Sequence, residues 1–346
     1  MKTTEFRILG IESSCDETAA AVVSSGREIL SSVIASQADL HAQFGGVYPE
    51  IASREHIKAV YATVDSALQQ AHLELADLDA IAVTRGPGLA GSLVVGANMA
   101  KAIALGSGLP IIGINHLEGH IYSAWLYASG NVPGPEPQFP LIALLVSGGH
   151  TELILMRDHL QYERLGSTVD DAAGESFDKV ARLIGLGYPG GPSIQKAAQE
   201  GNPKAFNFPK AKLSEPYNFS FSGLKTAVLR TVEELKASGK TLPVADLAAS
   251  FQQAVVATLY EKTMQAAEEF GARELVVAGG VSANKALRET FRSQVNYKVH
   301  IPHISLCTDN AAMIAAAGYQ HFIRKQLDDL SFDVLPNWPL IATMEV

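Results

Sequence analysis

The chain has 346 residues, 47% of them apolar, and a formal net charge of −9, which permits one large or two medium domains and excludes long-range attraction to a polyanion unless a basic patch or a partner supplies it. No apolar run reaches the roughly 18 to 20 residues of a membrane span, and the N-terminus lacks the apolar core of a signal peptide, so we expect a cytoplasmic protein without membrane partners. The two cysteines, Cys15 and Cys307, are far apart in sequence, which argues against a disulfide framework and predicts two small buried residues.

Two strand-turn-strand patterns, one in each half of the chain, organise the predicted fold. The first pairs residues 6–12 with 19–23 around a polar tip, and the second pairs residues 141–146 with 151–156 around Ser147–His150. The repetition indicates duplicated lobes with a cleft between them. This plan is similar to that of sugar kinases, actin and heat-shock proteins, in which the hairpin tips address phosphate. We therefore predict a duplicated, two-lobed, actin-like α/β fold with a central cleft.

Between the two hairpins, residues 53–71 predict an amphipathic helix with Ile57, Val60, Val64 and Leu68 on its buried face. Residues 81–84 predict a strand that leads through a glycine-proline turn into a small-residue helix, residues 92–105. That turn either binds phosphate at the helix N-terminus or is only a tight connection. The stretch 131–140, with four prolines and no periodicity, predicts a linker.

This linker divides the chain into two predicted lobes. Residues 1–135 form the N-terminal lobe, and residues 136–346 form the C-terminal lobe with the glycine turns and a basic-aromatic insertion. The last helix is expected to pack back toward the N-terminal lobe.

The segment from Gly113 to Ser123 is the first candidate for chemistry. His116 and His120 are four residues apart, so a helix that begins at Asn115 places both imidazoles on one face, close enough to share a divalent ion. Alternatively, the two histidines are half-buried and hydrogen-bonded to their neighbours. A metalloprotease helix is disfavoured, because Glu118 lies roughly 200° around the helix from His116 and its carboxylate points away from the metal.

In the second half, residues 170–184 predict a helix with Asp171 as its cap and Asp178 in its interior, where ribose binding is a hypothesis. The glycine-proline loop 185–192 lets a ligand touch the main chain. Residues 274–285 predict a strand that ends in paired glycines before a helix, an arrangement in which Asn284 can bind a nucleoside and Ser282 can cap the helix.

Residues 202–230 combine cations with aromatic rings, a composition that suits single-stranded RNA because bases stack on aromatic platforms. The alternative is a loop and a β-hairpin whose aromatics pack on the lobe. The cations are Lys204, Lys210, Lys212, Lys225 and Arg230, and the aromatics are Phe206, Phe208, Tyr217, Phe219 and Phe221.

Near the C-terminus, residues 305–310 precede a small-residue helix, residues 311–322. Asp309 either caps that helix or completes a two-histidine, one-carboxylate metal site with His116 and His120.

With these blocks in place, the chain resembles the universal tRNA threonylcarbamoyladenosine transferase family, bacterial type, once called glycoproteases. The resemblance covers almost the whole chain, and its most specific part is residues 110–121 with the spacing N-H-L-E-G-H-I. Further blocks are Gly10–Thr18, Leu145–His150, Asp178, Tyr188–Pro192, Gly279–Asn284 and Thr308–Asn310. One departure is Gln195, where many relatives carry an aspartate, so a sugar-hydroxyl contact there becomes neutral or disappears.

The resemblance implies one divalent metal per subunit, Fe²⁺ before Zn²⁺, held as a Lewis acid by His116, His120 and Asp309. It also implies that the adenylate threonylcarbamoyl-AMP is bound by Leu145, Val146, Ser147, Gly148, Gly149, Asp178, Gly191 and Asn284, and ATP or ADP are expected in the same cleft. No residue is assigned as a catalytic base.

The implied reaction transfers the threonylcarbamoyl group to the N6 amine of the adenosine just 3′ of the anticodon, in tRNAs reading codons that begin with A, with release of AMP. The implied partners are tRNA, a paralogous dimerising subunit, a small ATPase subunit and an adenylate-forming enzyme upstream. Two alternatives stay open: a metalloprotease, and an actin-like small-molecule kinase or non-catalytic nucleotide-binding scaffold.

Overall fold

The computed structural model describes residues 5–293 and 296–341. Its strands are β1 (Arg7–Glu12), β2 (Glu17–Ser24), β3 (Glu28–Ser36), β4 (Ala80–Gly86), β5 (Ile111–Asn115), β6 (Tyr127–Ala128), β7 (Leu141–Val146), β8 (Thr151–Asp158), β9 (Gln161–Ser167), β10 (Glu274–Ala278) and β11 (Lys298–His300). Its helices are α1 (Ala38–Ala42), α2 (Pro49–Ala71), α3 (Ala90–Ser107), α4 (His116–Tyr122), α5 (Ala173–Leu183), α6 (Gly190–Ala198), α7 (Ser222–Ala237), α8 (Val244–Glu269), α9 (Lys285–Ser293) and α10 (Ala311–Ile323). Within these residues, no helix combines the length and apolar character that crossing a bilayer requires.

The same strand arrangement occurs in two sheets. The first has the order β5-β4-β1-β2-β3-β6 and the second the order β11-β10-β7-β8-β9. In each sheet an antiparallel three-stranded meander is extended by two parallel strands on the side of its first strand. Both predicted hairpins are confirmed as β1–β2 and β7–β8. The duplication predicted from the repeated hairpin is therefore present in the strand order as well.

The chain forms two compact units, Met1–Glu136 together with Pro302–Val346, and Pro137–Ile301. The predicted C-terminal lobe, residues 136–346, is thus longer than the compact second unit. Helix α10 belongs to the first unit, where it packs on β1, β4 and α4. Helix α10 is rich in alanine, and most of its residues are buried. Its apolar surface is therefore covered by the strands and the helix on which it packs.

The buried face of α2 overlaps the predicted face but includes His56 in place of Ile57. Ile57 is 65% exposed, whereas Val60 and Val64 are buried as expected. The buried position next to Ile57 is His56, whose Nδ1 lies 2.7 Å from the hydroxyl of Thr18. A polar side chain is buried here because the first hairpin satisfies it with hydrogen bonds, which apolar periodicity does not reveal.

Close packing of α10 on β1 requires glycine at position 10. A Cβ at Gly10 would lie 2.2 Å from the carbonyl oxygen of Ala311 and 2.9 Å from the amide nitrogen of Ala315. Both contacts are with main-chain atoms of α10, which cannot rotate away. Gly10 therefore sets how closely the start of α10, and the segment just before it, approaches β1.

Replacing Gly10 with alanine is expected to lower the free energy of unfolding by about 1–3 kcal/mol, because the added methyl overpacks the β1–α10 contact. Gly106→Ala is the matched control: no atom lies within 4 Å of a Cβ at this helical glycine. The control should be neutral or stabilising by up to about 1 kcal/mol. Urea denaturation measures both, and equal effects would contradict the proposed packing constraint.

Candidate metal centre and nucleotide site

The two candidate histidines lie on one short helix that follows a buried strand. Strand β5 ends at Asn115, whose side-chain oxygen accepts a hydrogen bond from the amide of Leu117 at 2.9 Å and so caps α4. The helical spacing places the rings of His116 and His120 with their centroids 4.7 Å apart. Both residues are at least nine-tenths buried. The predicted helix at Asn115 is confirmed.

Asp309 lies beside both histidines. Its Oδ1 is 3.4 Å from Nε2 of His116 and 3.3 Å from Nε2 of His120. One donor atom from each of the three residues lies within 4.8 Å of the others. The alternative prediction that Asp309 caps the following helix is wrong, because Asn310 caps α10 by accepting a hydrogen bond from the amide of Met313 at 3.0 Å.

The donor set fits a divalent transition metal. Two imidazole nitrogens and one carboxylate oxygen, with other positions left open, form the two-histidine, one-carboxylate arrangement of open metal sites. Burial lowers the pKa of His120, and the hydrogen bond with Asp309 opposes this lowering only in part. The imidazole of His120 is therefore neutral at pH 7. A neutral imidazole has the free lone pair that a metal ligand needs.

Glu12 was missed by the sequence interpretation. Its carboxylate is fully buried at the end of β1, with Oε2 3.1 Å from Nδ1 of His116. Thr84 donates its hydroxyl to the same oxygen, and the amide of Ser14 donates to the other. The available signal was a glutamate that ends an apolar strand, since a buried carboxylate needs partners.

The contact with Glu12 fixes the orientation of the His116 ring. When Nδ1–H donates to a carboxylate, the tautomer is fixed and the lone pair stays on Nε2, the atom that faces Asp309. Burial raises the pKa of Glu12 and of Asp309, but the charge of His116 outweighs it and keeps both pKa values below their ordinary range. Burial lowers the pKa of His116, yet Asp309 and Glu12 together hold it well above its ordinary value.

Glu118 points away from these ligands, as predicted. Its Oε2 lies 2.9 Å from Nε2 of His321 on α10. A metalloprotease of the usual helical type needs this carboxylate beside the metal to activate water. The geometry therefore argues against that reaction.

The two buried glutamates give a matched test of orientation. Glu12→Gln should weaken the affinity for Zn²⁺ or Fe²⁺ about 10- to 100-fold, the usual effect of removing a carboxylate behind a ligating histidine. Glu118→Gln should leave it unchanged, because that carboxylate faces His321. Chelator competition measures both affinities. An equal loss in the two variants would show a general effect of buried charge instead.

Metal binding should depend on pH through His116. Because the pKa of His116 is raised, the imidazole is protonated below that pKa and must lose its proton to bind an ion. Affinity should therefore be constant above this pKa and fall about tenfold for each pH unit below it. Calorimetry in buffers of different ionisation enthalpy should detect one released proton, and a pH-independent affinity would contradict the assignment of His116.

A C-terminal strap, residues 328–338, holds strand β5, which leads to α4. The amide of Asp328 donates to the carbonyl of Ile111 at 2.9 Å, and the Asp328 carboxylate accepts from the amide of Gly113 at 2.8 Å. Further along, the guanidinium of Arg85 lies over the rings of Phe332 and Trp338. The strap is thus attached to β4 and β5 through main chain and side chains.

The strap ends at the cap of α4. The side-chain amide of Asn115 donates to the carbonyl of Trp338 at 3.1 Å, while its oxygen caps the helix. Asn115 is buried, and each end of its amide has a defined partner. Trp338 therefore fixes which way this amide points, and with it the start of the helix that carries His116 and His120.

The residues predicted to bind the adenylate lie in the second unit around the ends of β7 and β10. Leu145 and Val146 are the last, fully buried residues of β7, and Ser147, Gly148 and Gly149 form the turn to β8. Ser147 accepts a hydrogen bond from the amide of Gly174 at the start of α5. Beside this strand, Ala278 of β10 pairs with Leu145.

Asp178 and Asn284 have structural partners in addition to their predicted role. Asp178 accepts a hydrogen bond from the amide of Gly190 at 2.7 Å, which ties α5 to the start of α6 next to Gly191. Asn284 caps α9 through the amide of Leu287 and donates to Gln252. Burial raises the pKa of Asp178, and the Gly190 hydrogen bond offsets this only in part.

Two local predictions in the second unit are wrong, and the interpretation of Gln195 stays a prediction. Asp171 does not cap α5; its carboxylate pairs with the ammonium groups of Lys179 and Lys225 at 2.6 and 2.8 Å. Ser282 does not cap α9, because Asn284 does. Gln195 has a defined partner, since its side-chain oxygen accepts from the amide of Lys285 at 2.6 Å.

Most aromatics of the basic segment are part of the core. Phe208, Tyr217, Phe219 and Phe221 are at most 9% exposed, so they cannot stack on bases. The alternative of core packing is correct, but the predicted hairpin is absent from residues 202–221, and α7 follows. Among the cations, Lys210 pairs with Glu261.

The prediction that both cysteines are buried is correct for one of them: Cys307 is buried, whereas Cys15 is half-buried.

Comparison with solved structures defines the fold class. A crystal structure of HypF from T. kodakarensis aligns with a TM-score of 0.62 and 14% identity, over 92% of this chain and 48% of that one. Component A of (R)-2-hydroxyglutaryl-CoA dehydratase from Acidaminococcus fermentans aligns with a TM-score of 0.51 and 15% identity, over 92% of this chain and 99% of that one. With the duplicated sheets, these likenesses place the chain in the two-lobed actin-like ATPase fold.

Sequence comparison defines the family. The family model for tRNA N6-adenosine threonylcarbamoyltransferase (TsaD) matches residues 28–316. Proteins with this name are similar to the chain: that of Thermomicrobium roseum is 54% identical over 97% of each chain, and that of Symbiobacterium thermophilum is 53% identical over 96% of each. The chain belongs to the tRNA N6-adenosine threonylcarbamoyltransferase family.

Proposed function

We propose that this protein transfers a threonylcarbamoyl group from threonylcarbamoyl-AMP to the N6 amine of the adenosine just 3′ of the anticodon, in tRNAs reading codons that begin with A. The convergence of His116, His120 and Asp309 carries the proposal, because it joins two residues early in the chain with one near its end. His116 and His120 fall in the most specific sequence block of the resemblance, and Asp309 falls in a further block. Near-full-length relatives bear the name of this transferase.

The metal centre supports an acyl transfer. A divalent ion held by His116, His120 and Asp309, Fe²⁺ before Zn²⁺, would supply Lewis acidity toward a phosphate or carbonyl oxygen. The chain itself contributes the orientation of the ligands through Glu12 and Asn115. These residues hold the donor atoms in place before any substrate arrives, so little reorganisation is needed during the reaction.

The second unit supplies the proposed adenylate site. The amide of Ser147 donates to the carbonyl of His150 at 2.8 Å, so Gly148 and Gly149 would supply the main-chain amides for phosphate oxygens. Gly191 and Asn284 would contact the nucleoside, together with Asp178 and the end of β7. ATP or ADP would be bound by the same groups. Because Asp178 and Asn284 already have protein partners, their side chains are held in fixed positions.

The chemistry places most of the demand on positioning. The donor is a mixed anhydride, so the carbamoyl carbon is already activated and AMP is the leaving group. The amine nitrogen forms a bond to this carbon, the carbon–oxygen bond to AMP breaks, and the amine releases one proton. Orientation of a weak nucleophile and stabilisation of the developing oxygen charge then account for the rate. We assign no residue as the proton acceptor.

The charge of the chain makes partners important. With a net charge of −9, the isolated protein has little long-range attraction for tRNA, and the remaining attraction should be salt-sensitive. Exposed lysines such as Lys204 and Lys212 are available for phosphate contacts, whereas Lys210 and Lys225 are paired with carboxylates. We propose a paralogous dimerising subunit, a small ATPase subunit and an upstream adenylate-forming enzyme as the partners, acting in the cytoplasm.

Reconstitution tests the function directly. Unmodified tRNA incubated with threonine, bicarbonate, ATP, the adenylate-forming enzyme, this protein and its partners should yield threonylcarbamoyladenosine, detected by mass spectrometry of nucleosides. His120→Ala should lower the rate about 100-fold or more, because removing a ligand removes the Lewis acid. Omitting each partner in turn shows which are required.

The alternatives predict different results. A metalloprotease would hydrolyse peptides in a reaction abolished by His116→Ala, and a small-molecule kinase would be active without a stoichiometric transition metal. Absence of the modified nucleoside in a system that is active with a known relative would refute the proposal.

A further inference from the structure

Most aromatic rings of the predicted base-stacking segment are buried. A different part of the chain, however, exposes a pair of aromatic side chains. Phe44 and Tyr48 lie in the loop between α1 and α2 and are 54% and 55% exposed. Their ring centroids are 6.0 Å apart, with an angle of 47° between the ring planes. The rings are thus in contact but not stacked face to face, so each has a face open to solvent.

A buried histidine anchors this aromatic loop, residues 43–48, at both ends. The carbonyl of His41 accepts hydrogen bonds from the amides of Phe44 and Gly46, at 3.0 and 3.3 Å. Its Nδ1 accepts from the amide of Tyr48 at 3.3 Å, and its Nε2 lies 3.1 Å from the side-chain oxygen of Gln37. His41 is fully buried. Exposed rings on an anchored loop lose little conformational entropy when a ligand binds.

The aromatic loop is connected to the metal centre through the first hairpin. The amide of Gln37 donates to the carbonyl of Asp16 at 3.1 Å, at the tip of the β1–β2 hairpin. Two residues earlier, the hydroxyl of Ser14 lies 3.2 Å from Nδ1 of His116. Two residues span at most about 7 Å. The base of the aromatic loop and a metal-ligating histidine therefore contact the same short turn within one compact unit.

We infer that Phe44 and Tyr48 form a stacking platform for the anticodon-loop bases that flank the target adenosine. This inference rests on the proposed function, whose acceptor lies in a single-stranded loop with bases that can be unstacked and splayed. The acidic side chains of Asp16 and Glu17 nearby do not attract phosphates, but a neutral base needs only an aromatic face. Stacking therefore provides affinity that the net negative charge of the chain cannot provide.

If the two rings stack on bases, the KM for tRNA should depend on their flat aromatic faces and not on the size of an apolar side chain. In the reconstituted system, Phe44→Leu and Tyr48→Leu should each raise the KM for tRNA about 5- to 150-fold, the loss of one stacked base. Phe44→Trp should keep or lower the KM. Leu105→Ala, which removes an even more exposed apolar side chain on α3, should have no effect. The KM for the adenylate and the metal content should not change in any variant.

A fluorescent base gives a second measurement. An anticodon stem–loop with 2-aminopurine next to the target adenosine should be quenched on binding to the wild-type protein with its partners, and less so with the leucine variants. Unchanged KM and quenching in those variants, or an equal loss in Phe44→Trp, would overturn the platform. If the wild-type system modifies no tRNA, the proposed function fails, which is a separate outcome.

Discussion

The interaction of His116 with two carboxylates, the buried Glu12 and the half-buried Asp309, joins three segments of the first unit. Glu12 contacts one ring nitrogen at 3.1 Å and Asp309 lies 3.4 Å from the other. Removing His116 would leave the fully buried carboxylate of Glu12 without its charge partner, at a cost of several kcal/mol. The end of β1, the start of α4 and the segment before α10 are therefore held together by one imidazole. A divalent ion would replace the proton of that imidazole and strengthen the same arrangement.

The candidate metal centre and the proposed nucleotide site use polar residues in different ways. At the candidate metal centre, two imidazole nitrogens and the Asp309 oxygen face one another, and Glu12 lies behind His116. In the second unit, Asp178 joins α5 to α6, and Asn284 caps α9 and donates to Gln252. A substitution of Asp178 or Asn284 would therefore change the local structure as well as any ligand contact. Substitution of the three candidate metal ligands is the more direct test of function.

Local patterns in the sequence predicted most of the elements and part of the site. The hairpins and the spacing of His116 and His120 are encoded within a few residues, so periodicity is sufficient to find them. For Asp309 the local sequence left two alternatives, a helix cap and a metal ligand, and only the family resemblance favoured the second, because that role depends on a contact across most of the chain. Glu12 was missed for the same reason. The aromatics of residues 202–221 show a different limit, since composition does not distinguish a ring in the core from a ring in solvent.

The C-terminal strap has a consequence for how the protein matures. His116 and His120 are synthesised well before Asp309 and Trp338, so the groups that fix their positions become available only later in translation. The nascent chain therefore holds both imidazoles before it holds the carboxylate that faces them. The product of a stop codon between Asp309 and Trp338 would keep the three candidate ligands but lose the hydrogen bond from Asn115 to the Trp338 carbonyl, so α4 would begin at a less firmly oriented cap.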